Sequence, residues 1–227
     1  MKKIIMAVVL MITIGCGIAF AVPTVYFTRT AGYYSGVGGE FSLDPSAELE
    51  WILNSYNSKA LSGNSFQTFC LEYNEHVTLN STYNTAISNA AMNGGVIPAG
   101  TGDPISVGTA WLYAQFADGI LSGYNYTPGA GRSLSAGQLQ ATIWWLEDEA
   151  GDPGPGNIFR DAVLAQFSTI ENAKTNNNGQ YGVAVVNVTY PDGRLSQDQL
   201  VRVPEPSTLL ILGFGLVGLA SLRRRIK

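Results

Sequence analysis

Hydrophobic and polar positions change rhythm along this chain, and the changes mark out its elements. From Thr24 to Thr30, β-branched and aromatic residues predict a first strand. Gly32 to Gly39 reads as a glycine-rich turn, and a second strand is expected over 37–43, ended by Asp44-Pro45. Residues 66–73 alternate, with Phe66, Thr68, Cys70 and Glu72 on one face and Gln67, Phe69, Leu71 and Tyr73 on the other, which places Cys70 in the middle of a strand. Residues 48–56 fit a short helix or a strand, 76–80 could continue the sheet, and 84–109 reads as a small, polar, loop-rich stretch.

Helical spacing then takes over. Trp111, Leu112, Phe116 and Ile120 share one face within 106–121. Ser135-Ala136-Gly137-Gln138 has the form of a capping box and predicts a helix from there to about Asp148. Asn157 is the N-cap of a third helix reaching Ala173. Residues 181–190 and 199–203 are strands flanking the turn residues Asp192-Gly193. Strands, then helices, then strands predict a single α+β domain.

The two ends follow different rules. Lys2-Lys3, an apolar run over 4–15 and the small-x-small Ala19-Phe20-Ala21 define a signal peptide over 1–21, so the mature chain begins at Val22. A lipobox ending at Cys16 competes with this, but Thr13 is a poor residue three places before it. At the other end Pro204-Glu205-Pro206 leads into the uncharged, apolar segment 208–222 and then Arg223-Arg224-Arg225, a stop-transfer layout with the basic end cytoplasmic. Segment 208–222 is expected to be transmembrane, close to the lower limit of about 17 residues for a spanning helix. The tail resembles the PEP-CTERM sorting signal of Gram-negative bacteria, whose Pro-Glu-Pro motif is read by an exosortase-type membrane transpeptidase. That resemblance implies export, an inner-membrane intermediate, and final residence at the cell surface or in the extracellular matrix. An ordinary anchor accounts for the span and the arginines but not for Pro204, Glu205 and Pro206.

Between Val22 and Val203 seven basic residues face sixteen acidic ones. A mature domain this acidic lacks the basic footprint of a nucleic-acid binder. Its abundant Asn, Ser, Thr, Gly and Tyr fit an extracellular module able to contact polysaccharide or protein. The run Glu147, Asp148, Glu149 and Asp152 reads as a solvated acidic face; Ca²⁺ ligation there lacks EF-hand spacing. No zinc spacing, phosphate-binding loop or carboxylate pair stands out, and no cofactor is expected.

Removal of the signal peptide leaves Cys70 as the single cysteine. An exported lone thiol is an inert buried residue, an intermolecular link or a reactive centre. In the helix expected to open at Ser135, Gln140 and Trp144 lie one turn apart on one face. Phe69-Cys70-Leu71-Glu72, followed at a distance by Leu139-Gln140-Ala141-Thr142-Ile143-Trp144, resembles the internal thioester (TQXA-type) domain of bacterial surface adhesins. The resemblance implies a bond between the Cys70 sulfur and the Gln140 side-chain carbonyl, with Glu72 and Trp144 in support. It also implies a mixed β-sheet or barrel lobe with an inserted helical lobe over 22–203. Leu139 stands where many members carry threonine. Such a centre is a single-turnover bonding device and not an enzyme: an amine on a surface protein or polysaccharide matrix attacks the thioester and is captured covalently. A nearby helix N-terminus would stabilise the oxyanion, and Trp144, Trp145, Phe66 and Phe69 would exclude water.

Other readings remain open at this level. Gln115 is a rival acyl donor. His76, the only histidine, could form a cysteine-protease pair with Cys70, or assist amine attack. In the bland alternative Cys70 is merely buried, and the protein is a non-covalent structural component of an exopolysaccharide or biofilm matrix.

Overall fold

The computed structural model describes residues 21–92 and 102–204. Strands β1 (Thr24–Thr28), β2 (Phe41–Pro45), β3 (Leu61–Ser62), β4 (Ser65–Thr68) and β5 (Ser81–Ser88) are followed by the short pair β6 (Ala90–Ala91) and β7 (Asp103–Pro104). Four helices come next: α1 (Val107–Ala117), α2 (Ala130–Leu146), α3 (Ile158–Phe167) and α4 (Ile170–Ala173). The hairpin strands β8 (Val183–Thr189) and β9 (Gln199–Arg202) complete the domain.

Seven strands form one antiparallel sheet in the order β3-β4-β2-β1-β5-β8-β9. β8 is apolar along most of its length because it is buried on both faces. β1 alternates, turning Val25 and Phe27 inward. The sheet curls until its β9 edge meets the chain leaving β4: Leu200 N donates to Phe69 O (3.1 Å) and Leu71 N to Asp198 O (3.1 Å). Cys70 forms an isolated antiparallel bridge with Gln199 between these two bonds. The fold therefore fixes the Cys70 backbone from both sides.

Helix α1 is buried nearly all round, as its continuous apolar composition requires, and it lies against β8 and β9. Ser106 is its N-cap, its side chain accepting from Thr109 N. Phe69 packs edge-on against Phe116 (centroids 5.0 Å) and Tyr113 (6.5 Å), joining the sheet to α1.

Several expectations need correction. Helix α2 opens at Ala130 after Gly129, so Ser135 lies inside it; the Ser135 hydroxyl donates to Gly131 O and accepts from Asn125 N. The third expected helix is broken at Ser168 (φ 67°) into α3 and α4, although Asn157 does cap it, accepting from Phe159 N and Arg160 N. Residues 81–88 are a strand and not loop: Tyr83 and Thr85 point inward, and the remaining polar residues are accommodated because β1 and β8 pair with both edges. Residues 76–80 are not strand, and 50–55 form a 3₁₀ helix. Strand β2 starts only at Phe41, leaving 36–40 as a loop. Among the described residues no helix is long and apolar enough to cross a membrane. The segment 208–222, the residues Glu205 and Pro206, and all but the last residue of the expected signal peptide lie outside the described residues; Pro204 is exposed.

Candidate functional site

The strand expected over 66–73 ends at Thr68, so Cys70 lies just beyond β4, and this segment and helix α2 bring Cys70 and Gln140 into contact in the interior, where they are 0% and 1% exposed. Gln140 projects from the middle of α2 rather than from its first turn, so the helix terminus is not what polarises its carbonyl. Backbone amides do so instead. Gln140 Oε1 accepts from Gly39 N (3.0 Å) and Cys70 N (3.2 Å), with Cys70 Sγ 3.3 Å from the same oxygen. The carboxamide nitrogen donates to Cys70 O (2.8 Å). Two N–H groups converging on one carbonyl oxygen form an oxyanion hole, placed where charge would develop if sulfur added to the carbonyl carbon.

The Gly39 amide belongs to the loop over 36–40, which lies directly against Gln140. A Cβ at Gly38 would meet Gln140 Cγ at 2.7 Å, and one at Gly39 would meet Phe69 Cδ1 at 2.5 Å and Gln140 Oε1 at 3.1 Å. Only glycine lets the backbone approach this closely. Arg29 grips one end of the loop, donating to Gly36 O (2.9 Å), Val37 O and Gly38 O (3.1 Å), with its guanidinium over the Tyr34 and Phe41 rings. At the other end the wholly buried Glu40 forms a two-bonded ion pair with Arg132 of α2 (both 2.7 Å). Sequence reasoning missed Gly39, Glu40 and Arg132; the one available signal was the Gly38-Gly39 doublet, read only as a turn.

Burial, reinforced by Glu72, pushes the Cys70 thiol far above its ordinary pKa, against smaller opposing effects from its own backbone, Trp144 and Arg29. The sulfur is therefore protonated at neutral pH. The Trp144 indole N–H is buried without an oxygen or nitrogen acceptor and favours the thiolate form. Trp144 packs edge-on against Tyr73 (4.8 Å), whose backbone N donates to the Glu149 carboxylate (3.0 Å). Glu72 is buried; its Oε2 accepts from Asp198 N (2.9 Å) while Oε1 has no partner. Burial, then the neighbouring Asp198, raise the Glu72 pKa strongly, so it holds its proton.

The acidic run at the end of α2 is not a uniformly solvated face. Glu147 accepts from Ser106 N at the start of α1, where the helix dipole favours a carboxylate, and Asp148 pairs with Lys174. Glu149 holds Tyr73 and Asp152 pairs with Arg160. Among the described residues no cluster of three or more His, Cys, Asp and Glu is arranged to hold a metal.

Beside the site lies a cleft of about 190 Å³ lined in part by Arg29, Val37, Tyr73, His76 and Trp144. His76 thus reaches the vicinity of Trp144, but among the described residues its side chain makes no hydrogen bond to Cys70; its carbonyl accepts from Ser196. Of the two glutamines weighed, only Gln140 is bonded to Cys70. The Gln115 carboxamide nitrogen is buried without a partner.

Residues 202–225 match the PEP-CTERM protein-sorting motif. The tail is therefore the signal of an exported protein, recognised at its C-terminus by an exosortase and delivered by way of the membrane to the cell surface. No curated protein and no solved structure matches the chain.

Proposed function

We propose that residues 22–203 form a thioester domain that bonds covalently to amine-bearing targets at the surface or in the matrix to which the sorting tail delivers it. The observation that carries this reading is the doubly hydrogen-bonded Gln140 carbonyl with Cys70 Sγ 3.3 Å from its oxygen. Sulfur adds to the Gln140 Cδ, the Sγ–Cδ bond forms, the Cδ–Nε2 bond breaks, and the thiol proton leaves on nitrogen as ammonia. Sheet and helix hold the partners at reacting distance, so the step is intramolecular and owes its rate to effective concentration. Burial beneath Trp144 and Tyr73 keeps water from the product. A target amine then attacks the same carbonyl, forming an amide and returning the Cys70 thiol. Each molecule bonds once, and adhesion follows from export and anchoring.

Intact-mass measurement on the gently purified full chain tests this. The expected result is a deficit of one ammonia, filled by methylamine and absent in Cys70→Ala and Gln140→Ala. A full-mass wild-type chain with a titratable thiol would rule the thioester out and favour the non-covalent matrix component. Peptide cleavage dependent on both Cys70 and His76 would favour a protease.

A further inference from the structure

We propose that the buried Glu40–Arg132 pair is a positioning device that holds the Gly39 amide against the Gln140 carbonyl, and that it serves formation of the thioester rather than stability of the fold. The inference rests on the thioester reading above and adds to it the part that aligns its oxyanion hole.

Gly39 must donate its N–H to Gln140 Oε1 at 3.0 Å, yet neither Gly38 nor Gly39 can carry a side chain, since a Cβ at either would collide with Gln140, Trp144 or Phe69. The Gly38-Gly39 pair has no side chains with which to pack itself into place. Its position has to be imposed by its neighbours, and a misplacement of about 1 Å costs roughly a hundredfold in rate. Arg29 supplies one restraint through the carbonyls of Gly36, Val37 and Gly38. Ser35 N adds a second by donating to Gly39 O (3.1 Å), and Glu40, the residue next to Gly39, supplies the one that reaches α2.

Its partner is informative. Arg132 lies on α2, the same helix that carries Gln140, so the ion pair ties the donor's loop to the acceptor's own helix. The tie is fully constrained. Arg132 Nε and Nη2 each bond one Glu40 oxygen at 2.7 Å, Nη1 donates to Tyr126 O (2.7 Å), the guanidinium lies 3.6 Å from the Tyr33 ring centroid, and the Tyr124 hydroxyl donates to Glu40 Oε1 (2.5 Å). Such a fork fixes direction as well as distance. Stability alone is a weak reason for it, because well-packed apolar residues often replace a buried ion pair without loss.

The decisive variant is Glu40→Leu/Arg132→Met, with Arg132→Lys as a second that keeps the charge pair but gives up the fork. Full chain is refolded in detergent from the reduced, denatured state, folding is followed by tryptophan fluorescence, and ammonia loss by acid-quenched mass spectrometry. Both variants are expected to fold and then lose ammonia roughly 10- to 100-fold more slowly than wild type. Val163→Ala, a buried site on α3, is expected to lower the melting temperature and leave the rate unchanged. Should the double variant fail to fold, Arg132→Lys decides. Wild-type rates in the folded variants overturn the positioning role and leave the thioester intact, whereas a wild-type chain that never loses ammonia overturns both.

Discussion

Around the Gln140 carboxamide both polar atoms are hydrogen-bonded: the oxygen takes two amides and the nitrogen gives to Cys70 O. Two residues after Cys70, Glu72 is equally removed from water, but one of its oxygens has no partner and the charge that acts on it most is another carboxylate, Asp198. Asp198 is held by Val188 N (3.1 Å) and Asn187 (3.0 Å), and Glu147 and Glu149 line a small cavity beside Glu72. The first region pairs both carboxamide atoms, a geometry that specifies one arrangement of reacting atoms. The second is acidic and incompletely paired, and its protonation follows the medium. Matched polar groups in a low-dielectric interior hold geometry, whereas unmatched ones make the fold sensitive to pH.

The sharpest way to break the comparison is to spoil the matched region without touching either reacting residue. Gly39→Ala places a methyl against Phe69 and Gln140 and pushes the donor amide away. Loss of one oxyanion donor costs about 100-fold or more. Ammonia release from the folded Gly39→Ala chain should slow by that factor, while Gly151→Ala, whose new methyl meets nothing within 4 Å, should release ammonia at the wild-type rate. Equal rates in the two variants would show that the Gly39 amide is not acting on the carbonyl.

A smaller effect is expected from the wall. Trp144→Ala removes the ring that packs on Tyr73 and lines the adjoining cleft. Truncation of a packed tryptophan costs about 3 kcal/mol, and the opened cleft admits water. The thioester should still form, then hydrolyse several-fold faster, read as the gain of one water in a timed mass series. An unchanged lifetime would mean that the shielding comes from the 36–40 loop alone.

The sequence made some of this legible and hid the rest for identifiable reasons. Cys70 and Gln140 were findable because both carry chemistry in side chains set in short, ordered motifs, and Asn157 does cap its helix. The oxyanion donor was not findable in the same way, since a backbone N–H has no letter in the sequence and a glycine doublet reads as a turn whatever it contacts. Ser135 misled because a Ser-x-x-Gln pattern occurs inside helices as well as at their starts. The true start, Gly129 at φ 134°, has no capping side chain to betray it. β5 was hidden by its polarity: pairing on both edges, and not a hydrophobic alternation, makes it a strand. Glu40 and Arg132, ninety-two positions apart, were invisible to any local pattern.

The mildest prediction concerns the acidic region. Burial raises Glu147 from 4.5 to about 7, with Asp103 adding to it and Ser106 and Thr109 opposing. Glu72, Asp198 and Glu149 are raised as well, chiefly by burial. A carboxyl whose folded pKa lies above its unfolded value binds its proton more tightly in the native state, so its contribution is complete below about pH 4.5 and is lost as pH rises through 7. The exposed Asp152, lowered to about 2 by Arg160, acts with the opposite sign but only below about pH 4, outside this window. Glu147 alone is expected to remove about 3 kcal/mol between pH 4.5 and 7.5, lowering the melting temperature by roughly 8 °C in a domain of this size. Glu147→Gln, which keeps an acceptor for Ser106 N and cannot ionise, should make that slope shallower, leaving the part owed to Glu72, Asp198 and Glu149, while ammonia is lost at the wild-type rate. A slope as steep in Glu147→Gln as in wild type would place the pH sensitivity on Glu72 and Asp198 and take Glu147 out of it.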